Sequence, residues 1–412
     1  MRAQLIVALT LLAQCTLSAP VVSSATTTTI ASAASAVTPA VVPAAASASS
    51  SASSVSSKST LAASIASIAS ATPAAAMPSV RTAVASSAYR EPALTITNAN
   101  IASSITCQDP ANKGAKGIVL LVTGTAEPAK SFWVGGPYWQ LLPAQGFSPC
   151  YVTLPTDSLG DVQLTAEYVV GAIKYLAPKS KTRKVAIVAH SQGAGLNTPW
   201  ALDFYPSTVP LVSMFFAMAP DLRGTLDGNL GCFADEAFTK TCAASFWQQA
   251  QGSNLLKALN INAGSQIVPT TAIATLEDEI VTPQTPPLPA SFIPGATNIL
   301  IQSPDACGPL HVVDHLTIAN DAAVYNLALD ALTHGGHADT SRLNKATCLG
   351  FGNVGFDVSS HVANVKQIFQ TLIEAGFAVT GTDPGVSYKS EPLLRKFVCQ
   401  RYPTHGFSCG ST

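Results

Sequence analysis

The run Val185-Ala-Ile-Val-Ala-His-Ser-Gln-Gly-Ala-Gly195 constrains the fold more than any other stretch of the chain. A β-branched apolar series stops at a serine, and small residues follow at Gly193, Ala194 and Gly195. This reads as a buried strand, a sharp turn with Ser191 at its apex, and a helix: a nucleophile elbow. Small residues are needed because the turn is tight and the helix leaves close to the strand. Ala189 stands where the G-x-S-x-G pattern has its first glycine, and still leaves room for the turn. Short Gly/Ser patterns also arise by chance, so the reading depends on the rest of the chain.

Apolar runs at Gly117–Val122, Val185–Ala189, Val212–Met218, Thr270–Leu276 and Asn298–Ile301 read as strands buried on both faces. Leu164–Leu176 carries apolar residues at helical spacing between the first two runs. The alternation predicts an α/β fold with a mostly parallel central sheet flanked by helices. Thr125, Ser191, Asp221, Asp278 and His315 each lie just past such a run. In open α/β sheets, ligand sites gather beyond the carboxyl ends of the strands.

A serine hydroxyl needs a base to become a nucleophile, and the base needs a carboxylate to fix its tautomer. The order Ser191, Asp278, His315 is the one expected for an α/β-hydrolase. His315 is favoured as base by its position after the last strand, with His311 as fallback. His190 should point away from the serine, His334 and His337 sit in a polar loop, and His361 and His405 come late. Asp278 is favoured as acid over Glu277, Glu279, Asp305 and Asp314. The oxyanion donors are expected at the Gln192 backbone N–H and at Thr125, through its N–H and hydroxyl.

Only 11% of the 412 residues are charged and the net charge is −1, with no basic stripe to suit a nucleic acid. Met1-Arg2, the apolar run Leu5–Ala13 and small residues near Ser18-Ala19 predict a signal peptide over 1–19, too short to span a bilayer as an anchor. Residues 20–92 are Ala, Ser, Thr, Val and Pro with little large apolar surface, which predicts a disordered, non-catalytic or pro-segment. The catalytic domain is expected over 93–412. Of nine cysteines, Cys15 lies in the signal, leaving an even set that fits disulfides in an exported chain. No C-x-x-C pair suggests a metal, and no cofactor is expected.

At this level of detail the chain resembles secreted fungal lipases of the Candida antarctica lipase B family. The resemblance spans roughly 106–409. It rests on Leu120–Thr125 with Ser131-Phe132, Ser191-Gln-Gly193, Ala219-Pro-Asp221 with Gly224-Thr225, Trp247-Gln-Gln249, Gln266–Thr271, Asp278–Val281 with Pro283-Gln284, and Cys307–Leu310 with Asp314-His315. It implies Ser191 as nucleophile, Asp278 as acid, His315 as base, and Thr125 and Gln192 as oxyanion hole. It places Asp221 and Gln249 on the acyl side of a substrate pocket, with Ile280 and His190 also lining it. It further implies disulfides Cys107–Cys150 and Cys307–Cys348. The departures are a histidine, His190, where the family's best-known member has tryptophan, and a longer cover segment, Leu226–Phe246. Cys232 and Cys242 in that segment are expected to pair and restrain it, and Cys399–Cys409 remains by elimination.

The expectation is a secreted, monomeric serine carboxylester hydrolase acting on ester or lipid substrates, including those presented at a lipid–water interface. A secreted acyltransferase using the same triad is the alternative. A non-catalytic cell-surface protein with a hydrolase fold is the competing class.

Overall fold

A computed structural model describes residues 89–110, 113–226, 241–261, 267–287, 289–349 and 387–411, with isolated positions between 359 and 366. The expected signal peptide, nearly all of the 20–92 segment, most of the cover segment, Cys232 and His361 lie outside the described residues.

Seven strands form the main sheet: β1 (Ile105–Cys107), β2 (Ile118–Val122), β3 (Ser148–Val152), β4 (Val185–His190), β5 (Val212–Met218), β7 (Thr270–Ala274) and β8 (Thr297–Leu300). Their order is β1-β3-β2-β4-β5-β7-β8, parallel throughout except for β1 at one edge. A separate antiparallel pair joins β6 (Cys242–Ala243) to β9 (Ser387–Tyr388). With helices on both faces, this is the α/β-hydrolase fold.

Period-two alternation sorts the side chains of β2 onto opposite faces. Ile118, Leu120 and Val122 pack in one core with the helix Val162–Leu176, while Val119 and Leu121 pack in a second with Phe132, Trp133 and the helix Ala322–Thr333. Each such burial stabilises the fold by roughly 1.5–3 kcal/mol relative to exposure. Burial on both faces is why these strands read as continuous apolar runs. The helix Val162–Leu176 starts where Asp161 accepts the Gln163 N–H at 3.0 Å, one of the donors a helix start leaves unpaired.

Register matters most for the site. Val122 of β2 lies opposite Ala189 of β4, His190 opposite Met218 of β5, and Met218 opposite Ile273 of β7. The loops bearing Thr125, Ser191, Asp221 and Asp278 therefore leave the sheet side by side, at one level.

Candidate active site

Ser191 follows β4 directly with φ of 52°, a left-handed conformation that costs a non-glycine residue about 1–3 kcal/mol. Ala126 (φ 59°) and Ala219 (φ 45°), in the loops after β2 and β5, share this strain. Non-glycine left-handed residues thus occur in the loops that carry Thr125, Ser191 and Asp221. The elbow needs its glycines for space. A Cβ on Gly193 would come 2.3 Å from the Thr123 carbonyl oxygen, and one on Gly195 would come 2.1 Å from Asp221 Oδ1. After the turn the backbone widens into a π-helical stretch, Gly193–Asn197, before the helix Thr198–Asp203.

His315 is 1% exposed, and its Nδ1 lies 3.0 Å from Asp278 Oδ2. Asp278 Oδ1 accepts the N–H groups of Ile280 at 3.1 Å and Val281 at 2.6 Å, which fixes the carboxylate. Glu279 takes a different part: its Oε2 accepts the backbone N–H of His315 at 3.1 Å. Glu277 is exposed, and Asp314 is engaged with Thr317. Among the carboxylates considered, Asp278 is the one at the His315 ring. The fallback base, His311, is held between Asp321 Oδ2 at 3.0 Å and the Cys348 carbonyl at 3.1 Å.

Thr125 is fastened through its side chain. Its Oγ1 lies 2.5 Å from Gln192 Oε1 and 3.1 Å from Gln249 Oε1. Gln192 is held in turn by Gln249 Nε2 at 3.0 Å and by its own donation to Asn197 Oδ1 at 3.1 Å. Gly124 lets this loop close on Ser191, since a Cβ there would meet Ser191 Cβ at 2.5 Å. The Thr125 hydroxyl hydrogen is committed to an amide oxygen, so the donor this residue offers a developing oxyanion is its backbone N–H.

Asp221 is wholly buried, and neither carboxylate oxygen has a partner among the described residues. Burial pushes its pKa up to about 7, so it is a neutral acid below that. Ile280 is half-buried beside Asp278, and its carbonyl accepts from the Thr225 hydroxyl. His190 requires a correction. Expected to line the pocket, it is 0% exposed, and both ring nitrogens are engaged, with Glu127 and with the His315 carbonyl. It lies beneath the site, against Phe132 and the His315 ring. Glu127 is the residue that sequence reading missed. The available signal was an acid in the turn after β2, combined with a histidine before the serine.

Disulfides join Cys107–Cys150, Cys307–Cys348 and Cys399–Cys409. Cys242 is disulfide-bonded, while its expected partner Cys232 lies outside the described residues. Among the described residues no cluster of potential metal ligands occurs, and no helix is long and apolar enough to cross a membrane.

Burial pulls the His315 pKa down, but the charge and hydrogen bond of Asp278, with Glu279 and Glu127, outweigh it and raise it from the ordinary 6.5 to about 9. Only the neutral imidazole can accept a proton, so kcat/KM for an ester should climb with pH and level off only above about 9. Stability should run the other way. A raised histidine pKa stabilises the fold fully below the unfolded value near 6.5, and the contribution is lost as pH rises through about 9. A pH–rate profile beside thermal melts checks both signs; a rate already flat from pH 6.5 would contradict the first.

No family model matches the chain. Lipase B of Pseudozyma antarctica is 37% identical over 231 residues, covering 55% of this chain and 64% of that relative, so the match spans less than two thirds of its length. The crystal structure of Aspergillus fumigatus lipase B superposes with a TM-score of 0.66 at 27% identity, covering 75% of this chain and 73% of that one.

Proposed function

We propose that this chain, an α/β-hydrolase related to the lipase B proteins, is an exported serine carboxylester hydrolase of the lipase or esterase type. The observation that carries the reading is the Asp278–His315 pair, 3.0 Å apart and buried, at the sheet edge where Ser191 tops a strained elbow. In this reading His315 Nε2 takes the Ser191 proton as Oγ attacks the ester carbonyl. Asp278 holds Nδ1–H and stabilises the imidazolium. Thr125 and the Gln192 N–H receive the oxyanion. Collapse expels the alcohol, protonated by His315, and leaves an acyl-enzyme that water opens by the same steps in reverse roles.

Lipid-like substrates are supported by Leu310 and Val312, 92% and 73% exposed on the segment that leads to His315. An exposed apolar pair on the segment that carries His315 suits contact with a lipid–water interface. Export is supported by the 1–19 pattern and by the disulfides. In the same reading 1–19 is removed, 20–92 is non-catalytic, and 93–412 is the catalytic domain.

The test is labelling by a serine-directed phosphonate, with turnover of p-nitrophenyl esters of graded length beside an emulsified triglyceride. Labelling at Ser191 with ester turnover is the expected result. A folded protein that takes no label and cleaves no ester would sink the reading.

A further inference from the structure

We propose that Glu127 and His190 form a buried positioning pair that holds the oxyanion loop and the base loop in a fixed relation; its catalytic meaning rests on the hydrolase reading above. The pair connects three segments far apart in sequence. Glu127 lies in the loop after β2, His190 ends β4, and His315 lies beyond β8. Glu127 Oε2 accepts the Gly124 N–H at 2.6 Å, next to Thr125. Its Oε1 lies 2.7 Å from His190 Nδ1, and His190 Nε2 lies 2.8 Å from the His315 carbonyl oxygen. His190 is 0% exposed and Glu127 2%, so bulk water does not compete for these bonds.

The acceptors fix the hydrogens. One ring nitrogen faces a carboxylate and the other a carbonyl, and a carbonyl can only accept. His190 Nε2 therefore carries a hydrogen and donates it to His315. A second hydrogen lies between Nδ1 and Glu127 Oε1. Whether that hydrogen sits on nitrogen or oxygen, the pair is neutral overall, as a buried unit of this kind must be to avoid a large desolvation cost.

Three bonds then hold the base: Asp278 at Nδ1, Glu279 at its N–H, and His190 at its carbonyl. The His190 ring also packs between Phe132, 5.1 Å away centroid to centroid, and the His315 ring at 4.7 Å. The same side chains that hold the base reach the residue beside the oxyanion threonine. Neither Glu127 nor His190 touches the reacting atoms in this account. Both act on where Thr125 and His315 stand relative to Ser191.

The test is steady-state kinetics on a p-nitrophenyl ester, with active sites counted by phosphonate titration so that misfolded protein does not enter. His190→Phe keeps a flat ring but has no donor. It should lower kcat per titrated site by about 10–100-fold while KM moves by no more than roughly threefold, as expected when alignment in the transition state is lost. Glu127→Leu should behave alike. His190→Gln, whose amide can donate to the same carbonyl, should recover most of kcat. Glu127→Gln should too, because it can accept from Gly124 and donate to a neutral His190. Unchanged kcat in His190→Phe, or equal losses in the Phe and Gln variants, overturns the proposal. Hydrogen exchange at the Gly124 amide reads the pair without turnover: protected in the parent and in Glu127→Gln, and fast in Glu127→Leu. A parent protein inert to probe and ester overturns the hydrolase reading, and the exchange result then decides the pair by itself.

Discussion

Replacing Ser191 with alanine should remove ester turnover almost entirely, by on the order of 10⁶-fold in kcat. The nucleophile has no substitute at the elbow. Gln192 follows it with its amide held by Thr125, Gln249 and Asn197, Gly193 and Ala194 come next, and the histidine before it is buried with both ring nitrogens engaged. Stability should stay within about 1 kcal/mol of the parent, because alanine keeps the Cβ and the backbone strain at φ 52° is the same. Pre-steady-state release of p-nitrophenol, phosphonate labelling and thermal melting together check the prediction. A Ser191→Ala protein that still labels, or still shows a burst of product, places the nucleophile elsewhere.

Asp278→Asn should come next in size, at about 10⁴-fold in kcat. The carboxylate accepts on both sides, from the Ile280 and Val281 N–H groups through Oδ1 and from His315 Nδ1 through Oδ2. An amide cannot accept on both. With its oxygen kept at the backbone donors, its NH₂ faces Nδ1 and selects the tautomer in which Nε2 bears the hydrogen, which leaves no lone pair for Ser191. The change should also show in the pH profile. Asp278 is the leading force raising His315, so its loss should move the limb of kcat/KM down from about 9. A loss below tenfold with an unmoved limb would shift the acid's role to Glu279, the other carboxylate that contacts His315.

Much of the sheet and the level of the site were legible in the sequence, for a physical reason. β2 and β4 are buried on both faces, as is β5 from Met214 onward, so they carry long apolar runs, and the first polar residues at or after their ends fall on the functional edge. β3 was not legible. Its sequence, Ser148-Pro-Cys-Tyr-Val152, opens on a serine–proline pair that reads as a turn, and only pairing with β1 and β2 makes it a strand. β1 is three residues long and carries no period of its own. His190 was misplaced for the opposite reason. Local geometry said correctly that its side chain leaves the serine, but its destination is set by Glu127 and His315, 63 and 125 residues away. Side-chain partners at that range leave no periodic trace in one sequence. Thr125 and Asp278 stood out by their places just past apolar strands, and the family resemblance pointed to the same two residues, while the network that fastens Thr125 through Gln192, Gln249 and Asn197 is visible only in three dimensions.

The helix Val162–Leu176 carries a buried carboxylate, Glu167, that has no part in the chemistry. It accepts the N–H groups of Thr95 and Ile96 and the hydroxyl of Thr95, and it pairs with Arg395. Two residues on the same helix extend the seam: Lys174 pairs with Glu91, and Gln163 accepts the Arg395 N–H. Segments 300 positions apart along the backbone thus meet at a single side chain, so Thr95 and Arg395 close a loop in the polymer sense through one carboxylate.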